Sequence, residues 1–384
     1  MRNKPHVLLL SFAFSPNLGG VETHLDDLTG YLVAKEYPVT VVTYQPIASE
    51  EKAPSIEKHG LLEIHRLPWI RGLFLIFEAR PILQVLYLVP ALTIFAAIKI
   101  IKSARRIDII QAHGFTMAIS GYILSRIFHI PFTVNTHVSF QLPKKGMYAS
   151  FLRFILRRAK QVLVLTSDAK KELLALGIEE RNITTYHYWV DPVYAPGSQK
   201  ESRKRLGLGK DRFILLFVGR FIRAKGVDML LTVAQKTPKN VLFLFAGGGD
   251  LLGAVQDQER LGTVRYVGQL SRKELPNYYR SADICVIPSE IREKIYTEGI
   301  PRVLIESLSC GTPIIASDAG GLATFLSRDI GFLVKPPVEE VKKTVLSVYK
   351  NRRKLASMKK ECLKLAQKEF GRERNAQIIE QSLL

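Results

Sequence analysis

Two carboxylates stand eight positions apart in the segment Glu298-Gly-Ile-Pro-Arg-Val-Leu-Ile-Glu306, and Gly299 directly follows the first of them. If Arg302–Cys310 forms a helix, Glu306 lies inside it facing a pocket, while Glu298 lies on the loop that enters it, beside the positive helix N-terminus. Loop N–H groups and a carboxylate can bind sugar hydroxyls, and a buried carboxylate can accept a forked pair from ribose hydroxyls. The segment therefore predicts a sugar diphosphate site. The alternative is a solvated glutamate pair that complements the helix dipole.

A basic loop, Gly219-Arg220-Phe-Ile-Arg-Ala-Lys225-Gly226, follows an apolar run that reads as a strand. A diphosphate carries about two negative charges, and an arginine fork with a lysine on a strand-to-helix loop supplies counter-charge and hydrogen-bond donors. We therefore predict that Arg220 and Lys225 bind phosphate. The alternative is an ordinary basic loop.

A glycine pair, Gly19-Gly20, lies between the apolar run Val7–Phe14 and a helical pattern whose first turn contains Glu22. Glycines there allow the backbone to approach a ligand closely, and the N–H groups of a helix N-terminus can bind phosphate. A tight turn without a ligand is the alternative.

Two histidines, His113 and His137, end the apolar runs Ile107–His113 and Phe132–His137. Ligands of parallel α/β sheets bind outside the carboxyl ends of the strands, so both imidazoles are candidates for a binding site there. A lone histidine is also often structural.

Apolar runs alternate with helical patterns along the whole chain, which predicts parallel sheets covered by helices on both faces. A polar stretch rich in proline and glycine, Asp191–Arg212, interrupts the alternation and predicts a linker between two Rossmann-like domains. Besides the runs already named, the predicted strands are Val39–Tyr44, Gln161–Thr166, Phe213–Val218, Val241–Ala246, Val264–Val267, Ile284–Ile287 and Pro313–Ala316.

The Glu-Gly-x-Pro-x-Val-x-x-Glu pattern resembles the retaining glycosyltransferases of family 4, and the strings around Gly20 and Arg220 are similar to the same family. The resemblance implies an α/β protein of GT-B fold, with two Rossmann-like domains whose parallel sheets face each other across a cleft. It implies an acceptor-binding domain over residues 1–191 and a nucleotide-sugar-binding domain over residues 192–365. A C-terminal helix in residues 366–384 would cross back to the first domain.

The resemblance also implies roles for single residues. His137 and Glu298 would contact the donor sugar, Arg220 and Lys225 would clamp its diphosphate, and His113 matches a cleft position. The remaining substrate-binding candidates are Gly19, Gly20, Glu22, Gly299, Ile300, Pro301 and Glu306, with Glu22 facing the acceptor. This sequence departs from the family pattern at Tyr188-Trp189-Val190-Asp191 and at Ala323-Thr324.

The chain contains no Asp-x-Asp pair and no cysteine–histidine cluster at metal-ligand spacing. We therefore expect neither a metal nor another cofactor, with a nucleoside diphosphate sugar as co-substrate. Arginine, lysine and helix dipoles would then stabilise the leaving group.

The formal net charge of +20 predicts a polyanionic partner, which could be a nucleic acid, an anionic membrane leaflet or a phosphorylated substrate. Residues 99–171 carry thirteen Lys or Arg and two Asp, a local net charge of +11. Within them, residues 144–160 place Phe151, Phe154 and Ile155 among bases at helical spacing. This favours a basic amphipathic surface helix, although any Rossmann-type helix buries one apolar face. Together with the apolar character of this domain, the pattern favours a lipid or lipid-linked acceptor and an anionic membrane surface as partners.

An uncharged run, Pro81–Ile98, has three possible structures: a transmembrane span, an interfacial helix or a buried helix. The first apolar run lacks the pattern of a signal peptide, and three scattered cysteines fit a reducing compartment. We therefore expect a cytoplasmic, peripherally membrane-associated protein.

Two rival functions remain open. A nucleotide-sugar epimerase of the same fold would need no acceptor. A nucleic-acid-binding protein would explain the charge, but it would have no use for Glu298 and Glu306, so we expect no nucleic acid partner.

Overall fold

The computed structural model describes residues 4–17, 19–46, 52–68, 81–137, 145–289, 300–317, 322–335 and 338–384. The chain forms two compact units. The first comprises Met1–His187 and Arg372–Leu384, and the second comprises Tyr188–Gly371. From the sequence, we predicted the boundaries between these parts of the chain after residue 191 and after residue 365.

The first unit alternates strands and helices, beginning with β1. Its strands are β1 (Val7–Leu10), β2 (Val39–Tyr44), β3 (Ile56–His59), β4 (Leu62–Leu67), β5 (Ile109–His113), β6 (Phe132–Asn135), β7 (Gln161–Val164) and β8 (Ile183–Thr185). Its helices before the C-terminal segment are α1 (Gly20–Ala34), α2 (Pro81–Lys102), α3 (Phe115–Phe128), α4 (Met147–Leu156) and α5 (Ser167–Leu176).

The strands of the first unit, as described, form an eight-stranded sheet in the order β3-β4-β2-β1-β5-β6-β7-β8. All neighbours are parallel except β3 and β4, which pair antiparallel at one edge. The sequence did not predict β3 and β4, because charged residues interrupt their apolar pattern. One of these is Arg66, which is buried and donates to Glu57 Oε1 over 2.6 Å and to the carbonyl of Ser15 over 2.7 Å. These acceptors allow the charge to be buried.

Helix α2 contains the run Pro81–Ile98 and continues to Lys102. One face packs into the core of the first unit through Leu88, Leu92 and Ala96. Its window Val85–Lys102 is long and apolar enough to cross a membrane by length and composition, but 28% of that window is buried within the protein. The helix is therefore part of the core of this unit, and its opposite face is exposed and apolar.

The second unit has a six-stranded sheet across its described residues, in the order β11-β10-β9-β12-β13-β14, with every pair parallel. Its strands are β9 (Phe213–Arg220), β10 (Val241–Gly248), β11 (Val264–Tyr266), β12 (Ile284–Ile287), β13 (Ile314–Ser317) and β14 (Gly331–Val334). Its helices are α6 (Gln199–Arg205), α7 (Val227–Gln235), α8 (Leu252–Gln258), α9 (Leu275–Ser281), α10 (Arg302–Ser309), α11 (Leu322–Phe325), α12 (Val338–Lys350) and α13 (Leu355–Phe370).

Helix α6 lies within the stretch that the sequence predicted to be a linker. Ser198 caps it by accepting from the N–H of Glu201, and its Arg203 is buried. That guanidinium donates to Asp283 Oδ2 over 2.7 Å and to the carbonyl of Ser281 over 2.9 Å. These contacts fix part of the predicted linker to the core of the second unit.

The last helix, α14 (Arg372–Leu383), belongs to the first unit. Its Glu380 accepts a hydrogen bond from Tyr37 over 2.7 Å and pairs with Lys4 over 3.0 Å. Asn375 Oδ1 also accepts from the N–H of His187 over 2.7 Å. The chain thus returns to the first unit at Arg372, after α13.

Candidate functional site

The two predicted histidines lie together at the carboxyl edge of the first sheet. His113 ends β5, and His137 lies two residues beyond β6. Both imidazoles are buried; His113 Nδ1 lies 2.9 Å from His137 Nε2, and the rings are nearly parallel with centroids 5.0 Å apart. Since β5 and β6 are parallel neighbours, this contact follows directly from the strand order.

Hydrogen bonds fix the protonation of this pair. His113 Nε2 lies 3.3 Å from Gln111 Oε1. With the Gln111 amide in this orientation, His113 carries its proton on Nε2, and its Nδ1 accepts from the Nε2–H of His137. Burial lowers the pKa of His137 to about 3, while burial and the neighbouring His137 lower the pKa of His113 well below its usual range. Both rings are therefore neutral at physiological pH.

Two residues that sequence reasoning left without a role extend this cluster. His24 on α1 lies with its ring centroid 6.1 Å from that of His137, and its Nε2 lies 3.4 Å from the hydroxyl of Tyr186. Both are buried. His24 lies four residues after Gly20, but no spacing in the sequence connects it with Tyr186, which follows β8.

The glycine pair begins α1 as predicted, with Gly19 as N-cap in an extended conformation. The carboxylate of Glu22 folds back over Gly19, so that a side chain at position 19 would displace it. The hydroxyl of Thr23 donates to the carbonyl of Gly19 over 2.8 Å. Glycine at position 19 thus lets Glu22 lie against the entrance of the helix, while the adjacent Gly20 is exposed.

Arg220 and Lys225 lie at the carboxyl edge of the second sheet. Arg220 is the exposed last residue of β9, and Lys225 is half-buried in a 3-10 turn directly before α7. Burial, and next the charge of Arg220, lowers the pKa of Lys225 to about 8. Two neighbouring cations before a helix N-terminus have the charge and the position that suit an anion.

Close backbone packing shapes the floor of this basic loop. Strands β9 and β10 stay paired as far as Gly219 with Gly247 and Arg220 with Gly248. Gly247 has φ of 139°, and a Cβ atom there would collide with the carbonyl oxygen of Gly219. Glycine is therefore required where the two strands leave the sheet.

The lowered pKa of Lys225 predicts a pH dependence of diphosphate binding. At pH 7 the ammonium of Lys225 is charged, and above about pH 8 this side chain is neutral in the free protein. Lys225 must then take up a proton when a diphosphate binds. We expect affinity for a nucleoside diphosphate sugar to fall from pH 7.5 to 9.5, by up to about tenfold per unit. Calorimetry in buffers of different ionisation enthalpy should detect proton uptake near pH 8.

The variant Lys225→Arg is the matched control, because it keeps the charge throughout this range. Its affinity should stay constant to pH 9.5. An equal fall in wild type and variant would contradict this origin of the pH dependence. His113 and His137 should add no inflection between pH 5 and 7, since both remain neutral there.

The second predicted carboxylate, Glu306, is buried in α10. Its Oε2 accepts from the hydroxyl of Tyr279 over 2.8 Å, and its Oε1 lies 3.7 Å from Arg302 Nε. Burial and the nearby carboxylate raise the pKa of Tyr279 well above its usual range, so the hydroxyl stays a donor. Arg302 also donates to the carbonyl of Trp189 over 3.2 Å. Glu306 is thus the centre of a buried polar cluster in the second unit.

Tyr279 and Arg302 were not predicted as site residues, although Arg302 lies within the sequence segment 298–306. Ile300 is buried and Pro301 is the N-cap of α10, in the order that the motif predicted. Glu298 and Gly299 lie outside the described residues, so their predicted contacts with the sugar stay predictions. Among the residues that the structure describes, no cluster of histidine, cysteine or carboxylate side chains could hold a metal ion.

Two family models match this chain. "Glycosyl transferases group 1" matches residues 198–364, and "Glycosyltransferase Family 4" matches residues 18–194. Among curated relatives, a D-inositol 3-phosphate glycosyltransferase from Catenulispora acidiphila is 28% identical over 257 residues, covering 59% of this chain and 60% of that protein. Another from Mycolicibacterium smegmatis is 29% identical over 236 residues, covering 56% and 53%. The match thus spans a little over half the length of these relatives.

Solved structures of the same architecture cover nearly the whole chain. Sucrose-phosphate synthase from Thermosynechococcus elongatus superposes with a TM-score of 0.78 at 22% identity, covering 98% of both chains. HepE from Anabaena, solved in complex with UDP-glucose, gives 0.72 at 18% identity, also covering 98% of both. At this identity the likeness concerns the fold. Since the two family models account for residues 18–194 and 198–364, the chain belongs to the glycosyltransferases of group 1 and family 4, and its fold is GT-B.

Proposed function

We propose that this protein is a retaining, metal-independent glycosyltransferase that moves a hexose-type sugar from a nucleoside diphosphate to an acceptor. The observation that carries the proposal is the pair Arg220 and Lys225, two neighbouring cations at the carboxyl edge of the second sheet, before the helix α7. A diphosphate leaving group gains negative charge as its bond to the sugar breaks, and such a pair stabilises that charge without a metal.

The reaction is a same-face displacement. The bond between the anomeric carbon and the diphosphate oxygen breaks, the acceptor oxygen bonds to that carbon on the same face, and the acceptor proton passes to the leaving phosphate. His137 takes the role of a neutral hydrogen-bonding partner of the sugar, because with a pKa of about 3 the ring stays uncharged and does not act as a general acid. Glu298 positions the sugar, and Glu306 binds the ribose hydroxyls from its buried cluster.

Turnover is expected to continue in excess EDTA. The counter-charge for the leaving group comes from Arg220 and Lys225, so removing divalent ions leaves it in place. The measurement is product formation after dialysis against chelator, with and without added magnesium or manganese. Activity that disappears with chelator and returns with either ion would contradict this mechanism.

An exposed apolar face on the first unit supports a lipid or lipid-linked acceptor. On α2, Ile94 is 63% and Ile101 71% exposed; on α4, which like α2 packs against α3, Met147 is 90% exposed and Phe151 46%. Soluble surfaces rarely leave such side chains exposed in a row along one helix face. On α2 this row consists of Leu86, Ile94, Ile98 and Ile101.

Basic side chains lie beside these apolar ones. Arg158 stacks its guanidinium 3.6 Å from the ring centroid of Phe154, and Arg157 and Lys145 are exposed on the same segment. Apolar side chains among cations match the chemistry of an anionic membrane leaflet, which offers acyl chains under a negative surface. We therefore assign this face to the cytoplasmic membrane surface, with the protein bound peripherally.

The purified protein is expected to sediment with vesicles that contain anionic lipid and to stay in solution with neutral vesicles. Each cation near an anionic surface contributes about fivefold in affinity, so the variant Lys145→Gln/Arg157→Gln/Arg158→Gln should bind roughly a hundredfold less tightly. The matched control is Lys350→Gln/Arg352→Gln/Arg353→Gln, which removes three exposed cations from the second unit. Raising the salt concentration should release the wild type. Equal losses in both variants would contradict a specific membrane face.

A phosphorylated cyclitol or sugar is a second candidate acceptor, because curated relatives are named D-inositol 3-phosphate glycosyltransferases. Mass spectrometry of products distinguishes the candidates after incubation with pooled nucleotide sugars and either a total lipid extract or D-inositol 3-phosphate. A hexose added to lipid supports the first acceptor, and a glycosylated inositol phosphate supports the second. Conversion of the nucleotide sugar to free sugar without any acceptor would instead identify an epimerase.

A further inference from the structure

The first unit has a cavity at the sheet edge opposite His113 and His137. Residues at the amino ends of three parallel strands line it: His6 before β1, Val39 and Thr40 of β2, and Glu63 of β4. Its volume is about 440 Å³, within the range of small-molecule sites. Nothing in the proposed glycosyl transfer uses this edge.

Cations outnumber carboxylates in the wall of this cavity. Lys58, Lys99, Lys102 and Arg105 line it together with one carboxylate, Glu63. That carboxylate is already engaged, because its Oε1 accepts from Lys58 Nζ over 2.7 Å and its Oε2 lies 3.3 Å from His65 Nε2. Within the described parts of the chain, Lys99, Lys102 and Arg105 have no carboxylate within ion-pair distance. The cavity therefore holds positive charge that the protein itself does not neutralise.

Helix electrostatics explain only part of this charge. Lys99 and Lys102 lie in the last turn of α2, where cations complement the negative end of the helix dipole. The helix dipole does not account for Arg105 or Lys58. Arg105 comes from the loop after α2, and Lys58 comes from β3. Burial lowers the pKa of His65, and the positive charge of Lys99 is the next largest cause. Lys99 therefore acts on another residue that lines the same cavity. Cations from three separate segments thus converge on one concave space.

We propose that this cavity binds an anion that carries a phosphate group. Several cations including an arginine fit a phosphate better than a single carboxylate, because arginine can donate two parallel hydrogen bonds to it while the lysines add point charges. The phosphate could belong to a soluble metabolite or to a lipid headgroup, since the exposed apolar residues Ile98 and Ile101 adjoin the same lysines. The assignment does not depend on the glycosyl transfer proposed above.

Calorimetric titration with sn-glycerol 3-phosphate at constant ionic strength tests the site. The wild type should bind it saturably. The variant Lys99→Gln/Lys102→Gln/Arg105→Gln should lose more than tenfold in affinity, since each substitution removes a charged contact. The matched control is again Lys350→Gln/Arg352→Gln/Arg353→Gln, which removes the same charge from the second unit and should bind like the wild type. Absence of saturable binding to the wild type, or equal losses in both variants, would overturn the proposal.

A second measurement locates the ligand and identifies its source. NMR signals of the His6 and His65 rings should shift during the titration in the wild type, while the position of the His137 ring signal should stay unchanged. Vesicles with phosphatidic acid and with phosphatidylserine, matched in surface charge, separate the sources. A preference for phosphatidic acid that the cavity variant loses indicates a lipid headgroup, and binding of the soluble probe alone indicates a free metabolite. Ring shifts confined to His137 would place the phosphate elsewhere and contradict the proposal.

Discussion

Replacing Arg220 or Lys225 with alanine is expected to weaken binding of a nucleoside diphosphate sugar ten- to a hundredfold. Each side chain is proposed to form a charged hydrogen bond to a phosphate oxygen, a contact of order 1.5–3 kcal/mol. Lys225 is half-buried beside Arg220, so water does not compete freely for its ammonium. Titration calorimetry at pH 7 measures the effect directly.

The matched control is Arg223→Ala, because Arg223 lies on the same 3-10 turn as Lys225 and is exposed. It should bind the donor within about twofold of the wild type, since an exposed charge acts weakly on a ligand that it does not touch. Equal losses of donor affinity in all three variants would mean that the positive charge of the loop acts in general and that Arg220 and Lys225 form no specific contacts. Unchanged affinity in Arg220→Ala and Lys225→Ala would contradict the proposal that these two residues bind the diphosphate.

Replacing Glu306 with leucine is expected to lower the free energy of unfolding by about 3 kcal/mol or more. The change leaves the buried charge of Arg302 without its carboxylate and deprives the hydroxyl of Tyr279 of its acceptor. The variant Glu306→Gln should lose less, because the amide oxygen can still accept from Tyr279. Urea denaturation followed by circular dichroism measures both.

A double variant, Arg302→Leu/Glu306→Leu, separates the ion pair from simple packing. Removing both charges should restore part of the stability that Glu306→Leu loses, since no unpaired buried charge remains. A double variant as unstable as the sum of the single ones would contradict coupling between the two residues. If Glu306→Gln folds well and still raises the Michaelis constant for the donor, the carboxylate also binds substrate.

The strands of both sheets could be read from the sequence where they are apolar throughout. Parallel strands buried on both faces need uninterrupted apolar residues, which is why Val39–Tyr44 and Ile284–Ile287 were predicted with their observed bounds. Strands β3 and β4, the last two at one side of the first sheet, were missed because their charged residues break this pattern. Only tertiary contacts make such burial possible, as the partners of Arg66 show: Ser15 and Glu57 come from different parts of the chain.

The position of the loop that carries Arg220 and Lys225 could also be predicted from the local sequence. Arg220 and Lys225 follow one strand and precede one helix, so their sequence spacing is enough to place them at the carboxyl edge of the sheet. The low pKa of Lys225 was not predictable, because it depends on how deeply the turn packs and on the position of Arg220 in space.

Tertiary structure alone decided the two buried polar clusters. The sequence identified His113, His137 and Glu306 as candidates one at a time. Folding brought His24 next to Tyr186, which is 162 positions away in the chain, and next to His137. It also brought Trp189 to Arg302 across 113 positions. Periodicity reports which face of an element is buried, but the partner on that face depends on strand order and helix packing. The chemistry of single residues therefore came from the sequence, whereas their hydrogen bonds, protonation states and neighbours came from the fold.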